Sequence, residues 1–403
     1  MTRRLPSPAW LLLAVVLAGW SAFALLPVVG RRLGIVNHDP WFIDSYAVLA
    51  ASDAVRAGID PFGSNPLDIY NRAHSYSSWW FHLGDLGLTR QDNFLLGGSW
   101  VALFLAAGLL LLRPPGLRAL LLGAAVLLSP AVLLAIDRAN NDLVIFILLT
   151  AGLLPLRDSA WPRIAWFALM TLLATGLKFY PIAVAPALLL LRPRQRMLAA
   201  TCGLIVAGVA LLASLWSDLQ HATILTPINA YTFGAPIVFR DLGWTGPGAL
   251  LTGGVLLALA AVFCHGRGWS VNLDGPPASL DRRLAFASGA LLLAGCFVTG
   301  VSFAYRLIFV IFLLPWLWER RATVPARVLV CLLLLVLWLD GIYCVAANTM
   351  VGPMLVSRLK YYQMIWRFCT QPVVWAAMAL LAGSLLGMLL TAGREFRHRS
   401  SPS

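Results

Sequence analysis

Charge is what this sequence has least of. Asp, Glu, Lys and Arg together make up 12% of the 403 residues, where an ordinary soluble domain carries about 25%. With 60% hydrophobic residues and a mean hydropathy of +0.81, that scarcity excludes a soluble globular reading. Lysine is nearly absent, at positions 178 and 360 only. The formal net charge of +13 therefore rests on arginines in short clusters between apolar runs. Scattered clusters of that kind set topology and are not a nucleic-acid-binding stripe, so no nucleic-acid partner is expected. The six cysteines (Cys202, Cys264, Cys296, Cys331, Cys344, Cys369) lie mostly inside hydrophobic runs without metal-type spacing, and read as small core hydrophobes. No His/Asp/Glu cluster has ligand spacing, so neither a metal nor a cofactor is predicted. Low-complexity tracts and short-period repeats are also missing. The first apolar run, Pro8 to Val29, is too long for a signal peptide and has no convincing cleavage site after it.

What remains is apolar runs of membrane-crossing length. They predict an all-α polytopic membrane protein with about 12 transmembrane helices, at 8–29, 94–112, 119–136, 143–156, 164–177, 179–191, 197–216, 247–264, 284–301, 307–318, 328–347 and 372–392. Several are short, notably those flanking Lys178, which points to half-spans or broken helices beside a cavity. The chain reads as a single transmembrane domain over 1–403. Its inside loops hold 18 of the 30 basic residues when the N-terminus is cytoplasmic, and the even span count puts both termini there. Residues 30–93 then form a long extracytoplasmic loop with interfacial helices, 217–246 and 348–371 are outside, and 393–403 is a cytoplasmic tail. Long ordered loops tend to be functional.

Four polar features interrupt the apolar background, all at the extracytoplasmic ends of spans on this topology. Asp44, in Trp41-Phe42-Ile43-Asp44-Ser45-Tyr46, suits either a general base or a helix N-cap. Asp137-Arg138-Ala139-Asn140-Asn141-Asp142 offers a cation, carboxylates and amides, or a tight turn capping the next helix. Lys178, before Phe179-Tyr180-Pro181, either holds a phosphate as a point charge or snorkels at a helix end. Arg306, after Tyr305, fits a phosphate with its planar fork or pairs structurally with Asp340 or a backbone carbonyl.

Taken in order, Asp44-Ser45-Tyr46, Gly58-Ile59-Asp60-Pro61-Phe62, the segment from Asp137 to Asp142, Lys178-Phe179-Tyr180-Pro181 with Pro186, and Tyr305-Arg306-Leu307-Ile308-Phe309 resemble the GT-C class of polyprenyl-phosphate-sugar-dependent glycosyltransferases. The closest likeness is to the bacterial alpha-1,2-mannosyltransferase-like branch, over about residues 40–310. The resemblance implies a multi-pass protein of a prokaryotic plasma (inner) membrane. It would transfer a hexose or pentose, mannose-like sugars favoured, with inversion from a polyprenyl phosphate donor to an extracytoplasmic glycan or glycolipid. It implies Asp44 as catalytic base, with Arg138, Asn141, Asp142, Lys178, Tyr180, Tyr305 and Arg306 around the substrates. The chemistry agrees: a phosphate leaving group needs cations, and an acceptor hydroxyl needs a base. The expected geometry is one cavity lined by Arg138, Lys178 and Arg306, with Asp44 facing them across the space of one sugar. A transporter or lipid flippase is the alternative, although no inverted repeat is found. Beyond about residue 320 no motif matches.

Overall fold

A computed structural model describes residues 8–35, 39–154, 160–191, 194–222, 231–244, 246–275, 280–350 and 356–400. Its α-helices run in the order α1 (Pro8–Leu25), α2 (Pro27–Arg32), α3 (Ile43–Arg56), α4 (Asn93–Leu112), α5 (Leu117–Leu127), α6 (Pro130–Asp137), α7 (Asp142–Leu153), α8 (Ala160–Lys178), α9 (Arg194–Ser214) and α10 (Trp216–His221). They continue with α11 (Pro236–Asp241), α12 (Pro247–Gly266), α13 (Leu280–Thr299), α14 (Leu314–Glu319), α15 (Val324–Met350) and α16 (Val356–Ser400). The longer 3-10 helices are Ser78–Leu83, Tyr180–Leu190 and Ala304–Phe312. The β structure among the described residues is a two-residue antiparallel ladder, Thr232 opposite Phe303 and Phe233 opposite Ser302.

Among the described residues seven helices are long and apolar enough to cross a membrane, and eight when α5 and α6, bent by 53°, count as one span. The twelve expected spans are therefore not matched by twelve long helices. Three of the shortfalls have visible causes. The expected span 143–156 is the 12-residue α7. The run 179–191 is a 3-10 helix containing Pro181 and Pro186, which lack the N–H an α-helix needs. The run 307–318 divides into a 3-10 helix and the short α14, and residues 307–314 are fully enclosed by protein. Irregular backbone at membrane depth is tolerated under such cover. The expected tail 393–403 continues α16 as far as Ser400; residues 401–403 lie outside the described residues.

The chain divides into two compact units. One comprises Met1–Asn37, Gly108–Leu134 and Thr226–Ser403, and is dominated by packing of α12, α13 and α15 on α16 and of α1 on α5. Many large apolar side chains of α12 (Leu251, Leu259, Val262, Phe263) face outward, as hydrocarbon contact requires and water would penalise.

The other unit, His38–Ala107 with Ala135–Leu225, carries the motifs around Asp44, Arg138 and Lys178. In it α3 begins after Phe42, which takes the left-handed conformation (φ 64°), and ends at Gly58 (φ 73°), a common helix stop. The α3 face bearing Val48, Leu49 and Ala51 is buried. Two glycines let aromatic rings into the unit's core. A Cβ on Gly97 would stand 2.6 Å from the Phe42 ring, and one on Gly176 would overlap the Trp79 ring.

Candidate functional site

Backbone hydrogen bonds first tie the start of α3 to the turn after α6. Phe42 N–H donates to Asp137 O (3.2 Å) and Asp44 N–H to Arg138 O (2.9 Å). Phe42 is the N-cap of α3 and supplies no side-chain cap, so Asp44 is a first-turn residue and not the cap its sequence allowed. Its carboxylate points into the 138–140 turn and is 2% exposed as a residue.

Four donors reach that carboxylate. Arg138 grips it with a fork, Nη2 to Oδ1 at 2.7 Å and Nε to Oδ2 at 2.8 Å. Asn140 Nδ2 donates to Oδ2 at 2.6 Å, and Arg72 Nη1 to Oδ1 at 3.3 Å. Burial opposes ionisation, but the charges of Arg138 and Arg72 and the Asn140 hydrogen bond outweigh it and hold Asp44 below the ordinary carboxylate pKa. It is an ionised group at neutral pH. Arg72 is anchored independently, through Nε and Nη2 to Asp68 (3.0 and 2.8 Å) and through Nη2 to Ile43 O (2.9 Å).

Asn140 links this pair to a second one. Its Oδ1 accepts from Lys178 Nζ (3.1 Å) and from the Asp142 N–H (2.9 Å). Lys178 Nζ lies 2.6 Å from Asp142 Oδ1, which also accepts from the Tyr180 hydroxyl at 2.6 Å. The first loop closes over Lys178: the Tyr76 ring centroid is 5.2 Å from Nζ, and Trp80 Nε1 donates to Leu177 O at 3.1 Å. Asp218 of α10 fixes that loop, accepting from both the N–H and the hydroxyl of Ser78 at 2.7 Å. His74, buried in the same loop, is pushed down to about 4 by burial, so its ring is neutral.

Among the described residues, five other than glycine have positive φ: Phe42, Asn71, Arg113, Ala139 and Phe179. Four of them adjoin or lie within two residues of Asp44, Arg72, Arg138, Asn140, Lys178 or Tyr180. Such conformations cost on the order of 1–3 kcal/mol each, and they cluster where a fold holds side chains for function. Asn141 adds a second signal. It is fully buried, and neither its Nδ2 nor its Oδ1 has a hydrogen-bond partner in the protein, whereas buried polar groups are normally satisfied.

Asp44, Arg138, Asp142, Lys178 and Tyr180, named from sequence, thus belong to one network, with Asn141 on the same turn. Tyr305 and Arg306 lie in the 3-10 helix Ala304–Phe312 of the other unit. The expected sugar-sized gap between Asp44 and Arg138 is not present: the two are in contact, because two charges taken out of water pair directly. The paired groups balance as well, with Asp44, Asp68 and Asp142 against Arg72, Arg138 and Lys178. Sequence reasoning missed Arg72, Asp68 and Asn140 as site residues. Asp68 and Arg72 pair across a turn outside any helix, so their spacing carries no helical signal, and nothing local connects them to Asp44. Among the described residues no group of three or more His, Cys, Asp or Glu is placed to hold a metal ion.

Comparison with family models, with curated proteins and with solved structures finds no match.

Proposed function

We propose that this protein is a membrane glycosyltransferase that moves a sugar from a polyprenyl phosphate donor to a hydroxyl of a glycan or glycolipid, with inversion. The observation that carries the reading is Asp44: a buried carboxylate kept ionised by Arg138, Arg72 and Asn140 within a network flanked by left-handed residues. A carboxylate of low pKa is a weak base at rest. It suits this reaction because the acceptor oxygen becomes strongly acidic only as its bond to the anomeric carbon forms, so a late proton transfer needs orientation more than basicity.

In this reading Arg138, whose side chain is 20% exposed, faces the donor phosphate, and the unsatisfied Asn141 amide bonds a polar group of the donor. Lys178, only 6% exposed and engaged by Asp142, holds the turn in shape. The short helices and 3-10 segments complete about twelve passages of the bilayer. The N-terminus is cytoplasmic, residues 30–93 lie on the extracytoplasmic side of a prokaryotic plasma membrane, and the Trp79-Trp80-Phe81 run rests in the headgroup layer.

The test is product analysis of membranes that carry the wild-type protein or Asp44→Asn. The asparagine variant is expected to reach the membrane at normal levels and lose sugar transfer by about 10²–10⁴-fold. A variant with wild-type transfer removes Asp44 from the chemistry. A multi-pass transporter would yield no new glycosidic bond in either membrane.

A further inference from the structure

A general base must accept a hydrogen bond from the hydroxyl it deprotonates. A carboxylate has about four acceptor positions, two on each oxygen. On Asp44 all four are in use: Oδ1 by Arg138 Nη2 and Arg72 Nη1, Oδ2 by Arg138 Nε and Asn140 Nδ2. One donor must yield when an acceptor hydroxyl arrives, and the distances identify which.

The Arg138 bonds form a fork at 2.7 and 2.8 Å, so losing one spoils the pair. Asn140 donates at 2.6 Å from a fully buried position and is held by Lys178 on its other end. Arg72 Nη1, at 3.3 Å, is the longest contact of the four and beyond the usual N–H···O range. Its side chain is also the most open of the three donating residues', 31% exposed against 20% for Arg138 and none for Asn140. Arg72 does not depend on this contact, because Asp68 and the Ile43 carbonyl anchor its Nε and Nη2. When Nη1 changes partner, the guanidinium stays where it is.

Resting on the transferase reading, we infer that the edge between Arg72 Nη1 and Asp44 Oδ1 is the acceptor subsite, where one alcohol group of the acceptor inserts. The hydroxyl donates its proton to Asp44 Oδ1, and its oxygen accepts from Arg72 Nη1. One oxygen lone pair is thereby occupied and the other is aimed at the donor. In the transfer step the acceptor oxygen bonds to the anomeric carbon, the bond from that carbon to the phosphate oxygen breaks, and its electron pair leaves with the polyprenyl phosphate. The hydroxyl proton ends on Asp44 Oδ1. Arg72 is a positioning residue for the acceptor, and Arg138, on the opposite fork, faces the donor.

The experiment uses full-length protein in native membranes, with a lipid extract of those membranes as acceptor and purified polyprenyl phosphate mannose as donor. Activity is measured against each concentration for wild type, Arg72→Lys, Arg72→Gln and Asp44→Asn. Loss of a charge-assisted hydrogen bond corresponds to about 10- to 100-fold. Arg72→Gln is expected to raise the half-saturating acceptor concentration by that factor, with Arg72→Lys intermediate. The half-saturating donor concentration should stay within about twofold, and the gel-filtration profile should be unchanged. A merely structural arginine would lower the amount of active protein and move neither constant. Unchanged acceptor dependence in both variants, or a shift in donor dependence instead, overturns the subsite while an inactive Asp44→Asn keeps the transferase reading. No product with wild type, or full activity in Asp44→Asn, overturns the transferase reading itself.

Discussion

Lys178 and Asp142 form a buried ion pair at 2.6 Å, with side chains 6% and 0% exposed. Replacing Lys178 with methionine keeps the length of the side chain and leaves the carboxylate without its cation. Removing one partner of such a pair costs about 3–5 kcal/mol, mostly from the charge stranded out of water. Tyr180 still donates to Asp142, which places the expected loss at the lower end. Adding Asp142→Asn removes the stranded charge and retains an oxygen for Tyr180, so the double variant should recover to within about 1–2 kcal/mol of wild type. The Tyr76 contact to Lys178 is lost in both methionine backgrounds and cancels in the cycle. Unfolding in mixed micelles, followed by tryptophan fluorescence, measures the four proteins. The reasoning is refuted if the two single losses add to within about 0.5 kcal/mol in the double variant, the behaviour of independent sites.

Four further outcomes follow from the same geometry. Asp44 works ionised and its pKa is lowered from 3.8, so transfer activity should show no acid limb until the pH falls below about 4. Stability should begin to decline earlier: His74, at about 4 when folded, binds fewer protons than in the unfolded chain, so stability falls as pH drops from about 6.5 towards 4. Activity and unfolding measured over the same pH range separate the two. Gly176→Ala should destabilise by about 1–3 kcal/mol through its contact with Trp79, with part of the loss recovered when Trp79→Ala is added. Finally, cysteines placed at Ser64 and Asp274, both exposed, should react with an impermeant maleimide from opposite sides of the membrane; labelling of both from one side refutes the loop assignment.

How much of this was legible in the sequence depends on range. Apolar runs announced a helical membrane protein because burial in hydrocarbon is read directly from composition. They do not tell a long span from a short or enclosed one, since a run such as 307–318 is as apolar when enclosed by protein as when it faces lipid. Pro181 and Pro186 marked the break after Lys178, and the structure turns it into a 3-10 helix. The site residues named from sequence stood out because charge is expensive among apolar neighbours. Their pairing did not: Asp44 and Arg138 are 94 positions apart, and only the backbone bonds between α3 and the α6–α7 turn bring them into contact. Arg72 escaped notice because arginine is ordinary in a polar loop, and its 28-residue separation from Asp44 carries no periodic signal.

The Asp44–Asn140–Lys178 network also sets a timetable for biogenesis. Asp44 is synthesised 134 residues before Lys178, which at about 5–20 residues per second is an interval of roughly 7–27 s. Arg138 and Asn140 follow Asp44 by 94 and 96 positions, so the start of α3 lacks both for roughly the first two-thirds of that interval, and the intervening segment, Gly108–Leu134, is assigned to the other compact unit. Until the 138–140 turn is made, only Arg72 can pair with the Asp44 carboxylate, and the tie from Asn140 to Lys178 forms once the end of α8 has been made. A chain truncated before the 138–140 turn would present Asp44 to quality-control machinery as an unfinished surface, whereas one truncated before α8 would lack only the tie to Lys178.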